Sequence, residues 1–114
     1  MTDVAEGFAA FDAEDQKLVT LARATMGRTQ ARQGAALRDS DGRTYAGAAV
    51  SLPSLRLSAL QVAVAMAIAS AAPGVEAAVV FGGDSADDDG VSAVHDLTVG
   101  APVYFVNLRG DRIA

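Results

Sequence analysis

Few side chains in this sequence of 114 residues could carry out chemistry. It contains no cysteine, which excludes a thiol nucleophile, an iron–sulfur cluster and a zinc site built on cysteine. His95 is the single histidine, and Asp96 follows it directly. Because adjacent residues do not face each other on a helix, we interpret His95 as a partly exposed helix residue. Ser58 has no histidine or lysine near it in the sequence, so we interpret it as the N-cap of the helix that follows.

Two further segments carry residue types that can bind ions. The pattern Ser-x-Asp-x-Asp-Gly at residues 85–90 partly resembles a calcium-binding loop, but the usual first aspartate and the bidentate glutamate are missing. We interpret residues 84–90 as a solvated acidic loop. Gly82 and Gly83 follow a predicted strand, where ligand-binding loops lie in open α/β sheets. This segment lacks a phosphate-binding glycine motif and an adjacent basic residue, so we predict no phosphate site within it.

Composition and charge exclude several classes of partner. The chain is 51% apolar with a formal net charge of −5, and its basic residues are scattered singly along the sequence. We therefore predict no nucleic-acid partner and no binding to an anionic membrane. The first residues are acidic, and no positively charged segment with an apolar stretch follows them. The longest uncharged run, residues 57–74, is interrupted by polar residues and proline, so we expect a buried helix there and a cytoplasmic protein.

The spacing of apolar and turn residues predicts a single domain, residues 1–114, in which helices and strands alternate. Asp12 is the predicted N-cap of the first helix, and Gly27 is its predicted end. The Asp-Gly pair at residues 41–42 predicts a tight turn between two strands rich in glycine and alanine. This alternation is typical of a layered α/β sandwich with a mixed sheet. The predicted elements are a helix at 13–26, a hairpin within 32–50, an irregular segment at 52–57, an apolar helix at 58–72, a strand at 75–81, a helix at 91–97 and a strand at 102–108.

Three segments, taken in order and spacing, resemble the small zinc-dependent cytidine deaminases. They are Gly-Ala-Ala-Leu at 34–37, Asp-Gly-Arg-Thr-Tyr-Ala-Gly at 41–47 and Ser-Ala-Leu-Gln at 58–61. The resemblance covers residues 13–81 and continues more loosely to the end of the sequence. It implies an α/β fold of the cytidine deaminase-like type, a three-layer α/β/α sandwich with a mixed sheet. It also implies a homo-oligomer, either a dimer or a tetramer.

The resemblance further implies a zinc site whose residues this sequence does not preserve. In the family, a thiolate or histidine and two further cysteines hold Zn²⁺, and a glutamate two residues after the first ligand carries the proton. That Cys-Ala-Glu motif falls on residues 58–60, and the second motif, Pro-Cys-x-x-Cys, falls within 88–92. The ribose-binding Asn-x-Glu pair falls on Ala49 and Ser51. We therefore expect no zinc cofactor and no catalytic residue. The positions of the vestigial pocket are Ala49, Ser51, Ser58 and Leu60.

These losses favour a non-catalytic cytidine deaminase-like protein that serves in oligomer assembly or in binding an unidentified protein or small molecule. Removal of a general acid–base alone lowers a rate by about 10²–10⁴-fold. Two alternatives stay open: a cytidine deaminase that works through an altered site, and a nucleoside-binding module without turnover. Val62, Met66 and Ala69 of the apolar helix either contact another subunit or are buried within one subunit.

Overall fold

The structure, a computed structural model, describes residues 11–82 and 88–114 of the protein. Within these ranges the chain forms three helices and six strands, and their order alternates as the sequence predicts. The elements are α1 (Ala13–Thr29), β1 (Gly34–Asp39), β2 (Thr44–Ala48), β3 (Val50–Leu52), β4 (Leu55–Leu57), α2 (Ala59–Ala69), β5 (Val75–Phe81), α3 (Asp88–Leu97) and β6 (Val103–Val106).

Four of the strands form a mixed sheet in the order β2-β1-β5-β6. β1 is antiparallel to both β2 and β5, and β6 runs parallel to β5. Side chains alternate between the two faces of the sheet, so Ala36 and Val79 pack with α1, whereas Leu37 and Val80 pack with α2 and α3. The predicted three-layer α/β/α sandwich is confirmed.

α1 begins where the sequence predicts but ends later. Asp12 is its N-cap, and the carboxylate Oδ1 accepts a hydrogen bond of 2.8 Å from the backbone N–H of Asp15. The helix continues through Gly27, which costs only about 1 kcal/mol relative to alanine within a helix. It ends at Thr29, before Gln30 adopts a left-handed conformation with φ of 56°. The predicted end at Gly27 is therefore wrong.

Two glycines allow the helices to lie close to the sheet. A Cβ atom on Gly34 would overlap the carbonyl oxygen of Ala22 in α1. A Cβ atom on Gly47 would lie 2.7 Å from the carbonyl oxygen of Ala59 in α2. Only glycine fits these two positions, because any side chain would push the helix away from the sheet. The end of β2 therefore packs directly against the first turn of α2.

The prediction of an irregular segment at residues 52–57 is wrong. β3 and β4 pair there as a small antiparallel hairpin, in which Val50 lies opposite Leu57 and Leu52 lies opposite Leu55. Pro53 lies in the turn between the two strands, where its missing N–H removes no hydrogen bond from the ladder. The proline that led to the prediction of irregular structure thus forms the tip of a hairpin.

Three other boundaries differ from their predicted positions. α3 begins at Asp88 instead of residue 91, so the last residues of the predicted acidic loop are helical. α2 ends at Ala69 instead of residue 72, because Ala71 adopts a left-handed φ of 60°. The last strand covers only residues 103–106 of the predicted 102–108, since the chain turns back on itself directly after it. In the part of the chain that the structure describes, no helix has the length and apolarity needed to span a membrane.

Candidate functional site

The start of α2 carries the first vestigial position, Ser58, as the helix N-cap. The Ser58 hydroxyl accepts a hydrogen bond of 3.1 Å from the backbone N–H of Gln61. In return, the Gln61 side-chain oxygen accepts one of 2.9 Å from the backbone N–H of Ser58. This reciprocal capping box satisfies two backbone donors that the first helical turn leaves free. The interpretation of Ser58 as an N-cap is confirmed, and its hydroxyl is already engaged in holding the helix.

Leu60, the second vestigial position on α2, is part of the apolar core. Its side chain has no solvent exposure and belongs to a buried cluster that also contains Leu37, Val80 and Val94. α2, α3 and the sheet all contribute to this cluster, so Leu60 lies where the three elements meet. A leucine in this position contributes packing and has no proton to exchange with a substrate.

The other two vestigial positions lie in the chain between β2 and α2. Ala49 is half-buried, and its backbone N–H donates a hydrogen bond of 3.4 Å to the carbonyl oxygen of Gln33. Ser51 is exposed in β3, where it lies opposite Arg56 of β4. The contact of Gly47 with the first turn of α2 brings the end of β2 next to Ser58, whereas Ser51 faces solvent on the hairpin.

The residues present do not fit the zinc ion that the resemblance implies. The Ser58 hydroxyl caps a helix, Leu60 has no donor atom, and the sequence has no cysteine to supply a thiolate. Across residues 11–82 and 88–114, no group of three or more histidine, cysteine, aspartate or glutamate side chains could hold a metal ion. The position of the second motif, residues 88–92, forms the first turns of α3. Gly83 and residues 85–87 of the calcium-like pattern lie outside the described residues.

His95 lies half-buried on α3, as the sequence predicts. Its Nε2 atom lies 3.0 Å from the carbonyl oxygen of Ala101, which follows the end of the helix. Asp96 is exposed. The imidazole therefore ties the end of α3 to the segment leading into β6, which is a structural role.

Sequence reasoning missed a buried carboxylate, Asp39, at the end of β1. It has no solvent exposure, and it accepts hydrogen bonds from the backbone N–H groups of Asp41 and Arg43, each at 2.9 Å, and from the Tyr45 hydroxyl at 3.0 Å. Burial alone would raise the pKa of Asp39, but these hydrogen bonds and the Arg43 charge outweigh it and hold the pKa below 3.8. Burial and the Asp39 carboxylate raise the pKa of Tyr45. The Asp-x-Asp-Gly turn signal, seen here as residues 39–42, could have identified Asp39 as the residue that holds the turn.

A buried arginine on the α1 side of the sheet was also missed. Arg38 of β1 is 8% exposed and donates from Nη2 to the Asp15 carboxylate of α1 at 2.9 Å and from Nε to the Glu76 carboxylate of β5. Burial alone would lower the pKa of Arg38, but the two carboxylates raise it above its ordinary value. These contacts join α1, β1 and β5, while the Arg38 Nη1 atom is buried without a hydrogen-bond partner among the described residues.

Residues 11–110 match the sequence-family model described as "Cytidine deaminase-like". Because this match covers most of the 114 residues, the chain belongs to the cytidine deaminase-like family. No curated protein matches the sequence.

Solved structures of cytidine deaminases have the same fold as this chain. The cytidine deaminase of Burkholderia pseudomallei is 22% identical with a TM-score of 0.75, over 85% of this chain and 87% of that chain. The cytidine deaminase of Mycobacterium leprae is 17% identical with a TM-score of 0.62, over 82% and 89% of the two chains. A mutant cytidine deaminase of Mycobacterium tuberculosis is 19% identical with a TM-score of 0.59, over 82% and 88%. At these identities the likeness shows a shared fold.

Proposed function

We propose that this chain is a non-catalytic member of the cytidine deaminase-like family that serves as a subunit in assembly with further copies of itself. The observation that carries the proposal is the structural use of Ser58 and Leu60 at the start of α2. One caps the helix through its hydroxyl, and the other fills the core with no solvent exposure. A deaminase of this family needs a metal ligand and a proton carrier at these two positions.

The chemistry of the remaining positions supports the same conclusion. Ala49 and Ser51 have no carboxylate or amide group with which to hold a ribose. A protonated serine hydroxyl is a weak zinc ligand compared with a thiolate. Loss of the general acid–base alone corresponds to about 10²–10⁴-fold in rate, before the loss of the metal is counted.

The solvent-facing side of α2 supports assembly with a second copy. No residue of α2 is charged, and Met66 and Ile68 remain 46% and 54% exposed. Ala65 and Ala69, one helical turn apart on the exposed side, are small enough to let a second helix approach closely. Two copies that each carry a net charge of −5 repel each other, so they associate best through a surface free of charge. The same patch on both copies gives a closed two-fold interface.

The catalytic part of the proposal is tested on the purified full chain by metal analysis and by an absorbance assay with cytidine. The expected result is no stoichiometric zinc and no cytidine-dependent change in absorbance. One zinc ion per chain, or steady release of ammonia from cytidine, would overturn the proposal. A thermal-shift measurement with cytidine and uridine tests the nucleoside-binding alternative, because a ligand of the folded state raises the melting temperature. No shift at saturating concentrations removes that alternative.

The assembly part is tested by light scattering of the full chain and of two matched variants, in each of which one exposed alanine is replaced by glutamate. Ala69→Glu puts a charge on the exposed side of α2, and we expect it to dissociate the oligomer into monomers. Ala24→Glu puts the same charge on the exposed side of α1 and is expected to leave the oligomer intact. A monomeric parent chain, or equal dissociation by both variants, would contradict assembly through α2.

A further inference from the structure

β2 is an edge strand of the four-stranded sheet, with β1 on one side and, within residues 11–82 and 88–114, no strand on the other. The backbone N–H of Ala49 donates to the carbonyl oxygen of Gln33, and the backbone N–H of Asp39 donates to the carbonyl oxygen of Arg43. In an antiparallel ladder, pairs that exchange hydrogen bonds alternate with pairs that do not. The register therefore turns the backbone groups of the odd-numbered residues towards β1.

The even-numbered residues of β2 present their backbone groups to the open edge. The N–H groups of Thr44, Ala46 and Ala48, here called the outward amides, point away from β1 together with the carbonyl groups of the same residues. Among the described residues, no hydrogen bond takes up these groups. Natural edge strands are protected by a charged side chain, a proline or a bulge, and residues 44–48 have none of these. This edge is open to pairing with a further strand.

α2 lies beside the open edge, because it packs mainly over β2 and β1. Val62, Met66 and Ala69 follow one another at spacings of four and three residues, so they form one stripe along the helix. A Cβ atom on Gly47 would lie 2.9 Å from the Cβ atom of Val62, which places this stripe on the β2 side of α2. Met66 and Ala69 are exposed. The open edge and the exposed stripe therefore adjoin each other.

We propose that β2 of one copy pairs with β2 of a second copy around a two-fold axis at Ala46, so that the two sheets join into one. The inference rests on the proposed assembly through α2 and adds a strand contact to the same interface. Antiparallel pairing in this register places Thr44 opposite Ala48 of the second copy, and Ala46 opposite its own counterpart. All the outward amides then lie in pairs that exchange two hydrogen bonds each.

The spacing of the elements favours a second copy as the occupant of this edge. Neighbouring strands lie about 4.8 Å apart, so two helices that each lie over β2 and β1 would have axes about 10 Å apart. Packed helices have axes about 8–10 Å apart, so strand pairing brings the two α2 stripes into contact. α1 lies mainly over β1 and β5 on the opposite face, and its charged side stays in solvent. Copies with a net charge of −5 thus meet along β2 and α2, neither of which carries a charged residue.

Amide hydrogen exchange of the full chain, followed residue by residue by NMR, tests the strand contact directly. In the assembled protein we expect the outward amides to exchange about tenfold or more slowly than in the monomeric Ala69→Glu variant, because a bonded amide exchanges only when the structure opens. The amides of Tyr45 and Gly47 are the internal control, since β1 already binds them and their exchange should change less.

The exchange measurement separates the two proposals. If the chain is assembled and its outward amides exchange as fast as those of Ala69→Glu, the strand pairing is overturned while assembly through α2 stands. A monomeric parent chain overturns both proposals. Slow exchange confined to the assembled protein supports the strand pairing.

Ala46→Pro tests the same contact by mutation. Proline removes the outward N–H but takes no hydrogen bond from the ladder with β1, which an edge strand tolerates. We expect the dissociation constant of the assembly, measured by analytical ultracentrifugation, to rise about tenfold or more, because two hydrogen bonds at the axis are lost. Ala46→Ser keeps the N–H and is the matched control, with an expected change below about twofold.

Equal dissociation constants for Ala46→Pro and Ala46→Ser would contradict the pairing. Circular dichroism checks that both variants fold. If Ala46→Pro does not fold, Thr44→Lys carries the test, because it places a charge on an exposed residue of the edge and should also weaken the assembly. Thr20→Lys puts the same charge on the exposed side of α1 and should leave the dissociation constant unchanged.

Discussion

α1 and α2 cover opposite faces of one sheet, but their solvent-facing sides differ in charge. α1 exposes charged residues, among them the pair Glu14 and Lys17, whose carboxylate and amine lie 3.0 Å apart, and it is a helix suited to contact with water. α2 exposes Met66 and Ile68 and has no charged residue in its whole length. A helix that is apolar on all sides is typical of an element covered on most sides. The difference shows that α1 presents charge to solvent, whereas α2 presents the uncharged surface that the proposed assembly would cover.

Leu60→Ala tests the buried side of α2 and has the largest expected effect. Removing a fully buried leucine leaves a cavity in the core cluster, and the free energy of unfolding should fall by about 2–5 kcal/mol. Met66→Ala on the exposed side of the same helix is the control, with an expected loss below about 1 kcal/mol in the monomer. Urea denaturation measures both values. Similar losses for the two variants would show that α2 has no distinct buried and exposed sides.

Alanine substitutions at two glycines test the close approach of both helices to the sheet. Gly34→Ala on the α1 side and Gly47→Ala on the α2 side should each lower stability by about 1–3 kcal/mol, because the new methyl group overlaps helix backbone. Gly34→Ala should have the larger effect, since its overlap is the closer of the two. Gly27→Ala meets nothing within 4 Å and should raise helix stability by up to about 1 kcal/mol. A neutral Gly34→Ala, measured by thermal unfolding, would contradict the tight packing of α1.

Lowering the pH tests the buried carboxylate of Asp39 and has the most gradual effect. The native pKa of Asp39 lies below its ordinary value of 3.8, so its contribution to stability is complete above that value. The contribution is lost as the pH falls through the ordinary pKa towards the native one. Asp39→Asn should therefore be less stable near neutral pH and lose less stability on acidification, as followed by urea denaturation.

The matched control for Asp39→Asn is Asp41→Asn in the same turn. Asp41 is exposed and its carboxylate lies 3.5 Å from the Arg43 guanidinium, so Asp41→Asn should lower stability near neutral pH by less than Asp39→Asn does. An unchanged dependence in Asp39→Asn would contradict the role of the Asp39 carboxylate in the acid sensitivity of the fold.

Local signals were sufficient for much of the fold. The N-cap at Asp12, the Asp-Gly turn at 41–42 and the mostly apolar strand Val75–Phe81 are all confirmed. These features depend on residues close together in the sequence, where spacing and turn chemistry decide the structure. The hairpin of β3 and β4 was missed because Pro53 signals a break whether it ends a segment or forms a turn.

Long-range contacts account for what the sequence could not provide. Leu60 marks a position where the family's glutamate is missing, but its burial against Leu37 and Val94 depends on how three elements meet. Arg23 lies over Phe81 of β5 and Arg112 over Tyr104 of β6, and both contacts join residues that are far apart in the sequence or on different elements. The spacing of single arginines along the sequence therefore gave no signal of these contacts.

The capping box at Ser58 and the packing of Leu60 bear on how this chain could evolve. Ser58→Cys would weaken the start of α2, and Leu60→Glu would place a carboxylate in an apolar cluster, while neither alone would provide a metal centre. Each single step towards the family's zinc motif would thus harm folding before a metal centre could form. Selection on single substitutions would remove such intermediates, so folding itself would keep Ser58 and Leu60 in place.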